Sequence, residues 1–262
     1  MIKLIATDLD GTFLRSDKTF DTDIFNLIPK LEEKGIHFAV ASARQSSSIE
    51  RIFAPVKDRI ILICENGANV KYRGRTVFVE KMKRETVYKL CDFVNKTDNL
   101  TFFLSGLKKA YSNNEKLCKN MSKYFGFVTE FADKVQSIDD DFVKLSVTDT
   151  STDFRRDFSP MESIFANDCN VTLSGKNCID FVEKGVSKGL AIRKIKQMLG
   201  IGFDETAVFG DDFNDEVMFE EAGYSFAMEN ADEKLKEKAA FITGTNDSDA
   251  VIREIKKLCL TR

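Results

Sequence analysis

The chain has no tryptophan, one histidine and three prolines among its 262 residues. A single histidine, His37, excludes zinc sites built on several imidazoles. It also leaves a serine-histidine-aspartate triad only one base to draw on. His37 sits inside Ile36-His37-Phe38-Ala39-Val40, a strand-like run, and reads as a structural residue. No pair of the six cysteines (Cys64, Cys91, Cys118, Cys169, Cys178, Cys259) stands in a C-x-x-C spacing. Their scatter fits reduced, buried thiols better than a disulfide framework or a zinc site. Any chemistry is therefore expected to run on carboxylates, lysine and hydroxyls.

Long apolar runs are also missing. The most apolar stretch, Ile60-Ile61-Leu62-Ile63-Cys64, is far short of the roughly 20 residues a membrane-spanning helix needs. Lys3, Asp8 and Asp10 interrupt any signal-peptide core, so a cytoplasmic protein with no membrane partner is expected. Charge of one sign is scarce too: 39 basic against 42 acidic residues leave a net charge of −3. That balance argues against a bulk electrostatic grip on nucleic acid, although a local basic patch stays open. What is abundant is phenylalanine: its 23 copies are expected to supply most of the aromatic core.

Strands and helices alternate at both ends of the chain. Strands are expected at 3–7, 36–41 and 60–64, helices at 22–34 and after Ser46-Ser47-Ser48, and a hairpin around Val70 and Val77. The middle differs. Helices at 84–95 and 114–124 accompany strand-like runs near 101–104, 109–112, 142–148, 170–174 and 178–182. Pro160 interrupts a helical pattern over 153–166 and should start or kink a helix. Alternation returns with helices at 188–199, 214–221, 232–238 and 247–260 and strands at 206–209, 224–227 and 241–243. The fold class expected is α/β, a Rossmann-like parallel sheet with helices on both faces, interrupted by an α+β insert with an antiparallel sheet. The boundaries place the catalytic core at 1–82 and 186–262 and the insert at 83–185.

Two acidic clusters stand where strands end. Asp8-Leu9-Asp10-Gly11-Thr12 follows the first strand, and alternate residues of an extended chain let Asp8 and Asp10 face one site. A turn built on two aspartates has the same look. Gly210-Asp211-Asp212-Phe213-Asn214-Asp215 follows a later strand and opens a helix, with more acids than a helix cap requires. Ligands in open α/β sheets bind beyond the carboxyl ends of the strands. Two such clusters suggest one shared cation, and oxygen-only ligands point to Mg²⁺. Ser42, in Ala41-Ser42-Ala43-Arg44, and Lys188, after Gly185-Val186-Ser187, lie at edges of the same expected sheet.

In this order the residues resemble the haloacid dehalogenase superfamily, in its Cof-type sugar-phosphatase group with a large α+β cap. Asp8 to Thr12 match the first motif, Ser42 the second, Lys188-Gly189 the third and Gly210 to Asp215 the fourth. Glu65-Asn66-Gly67-Ala68 matches the Asn-Gly before the cap. The likeness runs nearly end to end, and its first and fourth motifs are the most specific. Ala43 departs from it, standing where the group often has glycine. The resemblance implies that Asp8 is a covalent nucleophile and Asp10 a proton donor and acceptor. It implies Mg²⁺ on the carboxylates of Asp8 and Asp211 and the Asp10 carbonyl. It further implies phosphoryl contacts from Ser42, Lys188, Asn214 and the amides near Leu9 and Ala43, with Asp215 holding a metal-bound water or orienting Lys188. The expected partner is a small phosphorylated metabolite, with sugar phosphates ahead of cofactor phosphates. Phosphomutase action, or a non-catalytic binding role, are the alternatives; oligomeric state is left open. Gly106-Leu107-Lys108-Lys109 reads as a solvated turn rather than a basic tip over the site.

Overall fold

Period-two alternation of apolar residues, buried on both sides, decides where the first strands go. In the computed structural model, which describes residues 1–149, 159–174 and 178–260, the chain opens with β1 (Leu4–Thr7), α1 (Ile24–Glu33), β2 (His37–Ala41), α2 (Ser46–Ile52) and β3 (Ile61–Cys64). The hairpin β4 (Asn69–Tyr72) and β5 (Arg75–Val79) follows. Ile5, Phe38, Val40 and Leu62 point into one apolar layer with Leu27, Leu31 and Ile49 of the helices. Leu4, Ala6, Ala39, Ala41, Ile61 and Ile63 point into the opposite layer. Isoleucine is the commonest residue of the first layer, and Phe13, Phe38, Phe53, Phe209 and Phe226 supply its aromatic packing.

The middle of the chain forms α3 (Arg84–Asn95), β6 (Leu100–Gly106), β7 (Ala110–Ser112), α4 (Glu115–Asn120), β8 (Thr129–Phe131) and β9 (Phe142–Asp149). It ends with α5 (Ser159–Phe165), β10 (Cys169–Leu173) and β11 (Cys178–Glu183). These strands make a separate sheet in the order β10-β11-β9-β6-β7-β8. The pairs are antiparallel except β7 with β8, so the expected antiparallel sheet carries one parallel pair at its edge. β8, a three-residue strand, is too short to announce itself by alternation. The helix expected at 114–124 is α4 continued by a π-helical turn, Met121–Phe125. Pro160 falls in the first turn of α5; residues 153–158 of that expected helix lie outside the described residues.

The chain then returns through α6 (Lys188–Leu199), β12 (Thr206–Gly210), α7 (Glu216–Phe219), β13 (Tyr224–Ala227), α8 (Glu233–Lys236), β14 (Phe241–Ile242) and α9 (Ala250–Cys259). The large sheet has the order β14-β13-β12-β1-β2-β3-β4-β5, parallel up to β3 and antiparallel in the closing hairpin. α9 joins α1 and α2 on one face through Val251, Ile252 and Ile255, and α6 and α7 cover the other through Ile192, Ile195 and Met218. The helix expected over 214–221 divides into a 3₁₀ turn, Phe213–Asp215, and α7, because Asp212 and Asp215 cap that turn reciprocally. The two connections between sheets run side by side: the Lys83 amide donates to Glu183 Oε2 at 3.0 Å, and Val143, Val182 and Val186 form a small apolar seam with Ala68. Among the described residues no helix is long and apolar enough to cross a membrane.

Candidate active site

β1 lies in the middle of the large sheet, and Asp8 is the first residue past its carboxyl end. Its amide donates to the Phe209 carbonyl of β12 at 2.9 Å, which fixes the backbone beside the neighbouring strand end. The Asp8 side chain is buried, and its Oδ1 accepts from Lys188 Nζ at 2.6 Å. Lys188 begins α6, capped by the Ser187 hydroxyl, and its Nζ also donates to Asp215 Oδ1 at 2.7 Å. The other oxygen of Asp215 accepts from the amides of Asp211 and Asp212 at 2.9 and 3.2 Å. Both oxygens of Asp215 are therefore engaged in holding Lys188 and the loop after β12. Thr12 donates to Asp211 Oδ1 at 2.6 Å, tying the two acidic loops together.

Backbone conformation at Gly11 permits this approach. Gly11 has φ +87°, a region that side chains rarely adopt, and a Cβ there would collide with the Asp211 carboxylate. Gly67, at φ +98°, packs just as closely on the Ser187 carbonyl. Glu65 and Asn66 before it also have positive φ, so three consecutive left-handed residues carry the chain past the start of α6.

Asp8, Asp211 and Asp215 each place a carboxylate oxygen within 4.8 Å of the others. Burial pushes the Asp8 carboxyl well above its usual range, opposed by Lys188 and reinforced by Asp215 and Asp211. Burial and then Asp215 raise Asp211 to about 7. Burial alone would lower Lys188, but Asp215 and Asp8 push it well above the ordinary lysine value. Three carboxylates around one ammonium leave an excess of negative charge, and the donors are all hard oxygens. That composition fits a divalent cation of the Mg²⁺ type.

Asp10 reaches the same cavity but different partners. Arg44 grips it with two bonds, Nε to Oδ2 at 2.6 Å and Nη2 to Oδ1 at 2.7 Å, and Lys18 Nζ adds a third at 2.9 Å. Burial would raise Asp10; the Arg44 pair, helped by Lys18, outweighs that and holds it below its usual value. Ser42 is buried with its Oγ accepting from the Arg44 amide at 3.2 Å. The Leu9 side chain is fully buried in the apolar layer, so only its main chain can meet a ligand. Asn214 donates to Asn66 Oδ1 at 3.3 Å, and Asn66 donates in turn to Asp180 Oδ2 of β11 at 2.8 Å. The Ala43 carbonyl accepts from Lys144 Nζ of β9 at 2.7 Å.

A cavity of about 350 Å³ opens between the two sheets and is lined by Asp8, Asp10, Ser42, Ala43, Lys188 and Asn214 together with residues of the insert. All the residues singled out in the sequence thus come to one place, except that Leu9 turns its side chain away and Asp215 is locked behind Lys188. Arg44, Lys18, Lys144 and Asp180 were not singled out. Arg44 had a signal, since it stands directly after Ser42-Ala43 at a strand end. Lys144 and Asp180 had only their places in alternating strands. His37 sits at the opposite end of β2, hydrogen-bonded to the Tyr72 hydroxyl at 3.0 Å, in a structural setting. Lys108 and Lys109 at the 106–109 turn pair with Asp139 and Glu130, as a solvated turn should.

Residues 5–255 match the family described as haloacid dehalogenase-like hydrolase. The chain is 27% identical to the 5-amino-6-(5-phospho-D-ribitylamino)uracil phosphatase YbjI of Escherichia coli, over 98% of this chain and 96% of the relative. It is 27% identical to the phosphatase of the same description, YcsE, of Bacillus subtilis, over 97% and 95%. The crystal structure of SMU.1108c from Streptococcus mutans superposes with a TM-score of 0.90 at 29% identity, covering 100% of both chains.

Proposed function

The chain belongs to the haloacid dehalogenase-like hydrolases, as a Cof-type phosphatase, and from that premise we propose that it hydrolyses small phosphate monoesters through a phosphoenzyme on Asp8. The observation that carries this reading is Asp8 itself: a buried carboxylate at a strand end, held by Lys188 beside Asp211 and lining a cavity. We propose further that residues 83–185 act as the cap that selects the leaving group, since the second sheet supplies the far wall of that cavity.

Asp8 Oδ attacks phosphorus in line with the leaving oxygen and forms an aspartyl-phosphate. Lys188, fixed by Asp215, keeps a full positive charge at the transferring oxygens, where negative charge concentrates. Ser42 and Asn214 border the same space as hydrogen-bond partners for those oxygens. Asp10, ionised on Arg44, is in the form that takes a proton from the water of the second step. To donate a proton to the leaving group in the first step, Asp10 has to let go of Arg44 and first take up a proton from solvent. The Asp8 and Asp211 carboxylates and the Asp10 carbonyl would hold Mg²⁺, which when bound offsets the repulsion among the carboxylates and the phosphate dianion.

Sugar phosphates are the leading substrates, and the names of the two relatives add phosphorylated ribityl compounds to the range. The cytoplasm remains the proposed site of action, supported by six cysteines that are all free and mostly buried. The test is phosphate release from a panel of phosphorylated metabolites. Activity should vanish with a chelator, return with Mg²⁺, and be absent in Asp8→Asn. Full turnover by Asp8→Asn would sink the covalent mechanism. Isomerised ester without free phosphate would indicate a mutase.

A further inference from the structure

The loop Ser42-Ala43-Arg44-Gln45, at the end of β2, carries more than the buried Ser42. Three of its residues meet the insert. The Ala43 carbonyl accepts from Lys144 Nζ of β9 at 2.7 Å. Gln45, also buried, accepts through Oε1 from the Val128 amide at 3.2 Å. The Arg44 guanidinium lies 5.2 Å from the ring centroid of Phe125, the last residue of the π-helical turn after α4. Arg51 of α2 secures the same turn by donating to the Tyr124 carbonyl at 3.4 Å. These contacts fall on both sides of Arg44 in sequence and on its guanidinium. The insert therefore fixes the loop and that side chain together.

The same guanidinium reaches Asp10. Nε and Nη2 each take one carboxylate oxygen, at 2.6 and 2.7 Å, which fixes the plane of the carboxylate as a single bond could not. Lys18 adds one bond to Oδ1 from an exposed ammonium, a point contact that leaves that plane unset. Among the described residues Oδ2 accepts only from Arg44 Nε, so it keeps a lone pair for a water. Asp10 and Arg44 both line the cavity that holds Asp8.

We propose that Arg44 is a positioning residue for the second chemical step and that the docked insert sets it. The inference rests on Asp8 being the phosphoryl acceptor. In that step a water oxygen bonds to phosphorus. The bond from phosphorus to Asp8 Oδ breaks and returns its electron pair to the Asp8 carboxylate, and the water proton passes to Asp10 Oδ2. Arg44 acts on the water only through Asp10, by holding Oδ2 at the angle that meets it. An insert that lifts away takes Phe125, Lys144 and Val128 with it, frees the loop and lets Asp10 turn. The core then keeps its nucleophile but loses an oriented base, so hydrolysis of the phosphoenzyme waits on the insert.

Rapid-mixing release of p-nitrophenol from p-nitrophenyl phosphate by the full Mg²⁺-loaded chain tests this. That leaving group departs as an anion and spares the first step a proton donor. Arg44→Met should keep the burst rate and kcat/KM within about twofold, while the rate after the burst and KM fall together by about 30-fold. Arg44→Lys keeps the charge but loses the paired bonds, and should lower the same two quantities by about tenfold. Phe125→Leu should lower the rate after the burst by about threefold. Added to either Arg44 variant it should lower the rate no further, because Phe125 acts through Arg44. Arg44→Lys thus decides the matter if Arg44→Met does not fold. A burst that slows as much as the later rate makes Arg44 a phosphoryl contact and overturns the proposal. An unchanged later rate, or additive effects in the double variant, overturns it too. A wild-type chain that releases no p-nitrophenol removes the phosphoenzyme on Asp8 as well.

Discussion

Two lysines in this molecule are sealed from water, one at each side of the cavity, and they are balanced differently. Lys188 is 1% exposed and sits between Asp8 and Asp215, with both contacts at full hydrogen-bond strength. Lys144 comes from the insert, donates to Asp180 and to the Ala43 carbonyl, and lies 3.6 Å from Glu65 Oε2. Neither Glu65 oxygen accepts a hydrogen bond; the Ser105 hydroxyl lies near it, short of that geometry. Burial raises Glu65 to about 7, with Lys144 opposing and Asp180 adding to the rise. Burial works against both ammonium groups, and in both the surrounding carboxylates win and hold the charge. The difference is in what is left over. Around Lys188 the surplus is negative charge in a group that opens on the cavity, which a cation can use. Around Lys144 the surplus is one buried carboxylate that can discharge itself by taking a proton. One cluster is arranged for a ligand, and the other ties two sheets together.

The largest expected break in that comparison is Lys188→Met. It removes the one ammonium bonded to Asp8 among the described residues and should lower kcat/KM for phosphate release by about 10³-fold. Lys188→Arg should not restore it, because a planar fork cannot replace a point charge between two carboxylates. A Lys188→Met enzyme within tenfold of wild type would put the phosphoryl contact elsewhere.

Next is Lys144→Met, whose main effect should be on stability. Removing one partner of a buried ion pair costs about 3 kcal/mol or more, read as a lower denaturation midpoint. An unchanged midpoint would mean that Lys144 does not join the sheets.

Glu65→Gln sharpens the pH side. Glu65 binds its proton more tightly folded than unfolded, so between pH 4.5 and about 7 the native state holds more protons. Stability should therefore fall as pH rises through that window and level off above it, by on the order of 3 kcal/mol in full. Glu65→Gln should flatten this slope in denaturation curves taken from pH 5 to 8; an identical slope in the variant would assign it to another group. The smallest effect should come from Ser146→Ala, which deletes one donor to Asp180 and should cost about 1–2 kcal/mol.

The two clusters also differ in how legible they were. Asp8, Asp10, Asp211 and Lys188 stand at the ends of apolar strands or the start of a helix, in dense local motifs, so sequence order alone brings them to one edge of the large sheet. Lys144 and Asp180 stand in the middle of strands whose alternation tells which residues share a face but not what that face meets. Their partners, Ala43 and Asn66, belong to loops of the other sheet, and no local pattern connects them. Arg44 shows an intermediate case. Its position beside Ser42 was visible, but its bidentate hold on Asp10 depends on how two loops approach. The parallel β7–β8 pair was hidden because β8 has only three residues.

β1, which leads into the proposed nucleophile Asp8, lies between two neighbours of very different origin: Leu4 pairs with His37 on one side and with Thr206 on the other. During synthesis the first pairing can close almost at once, while the second must wait for β12, about 200 residues further along. Asp211 and Asp215 emerge later still. On the proposed mechanism a chain truncated before β12 holds Asp8 without Asp211 and Asp215, and phosphoryl transfer would wait until β12 docks. The order of translation would then withhold that activity from unfinished copies.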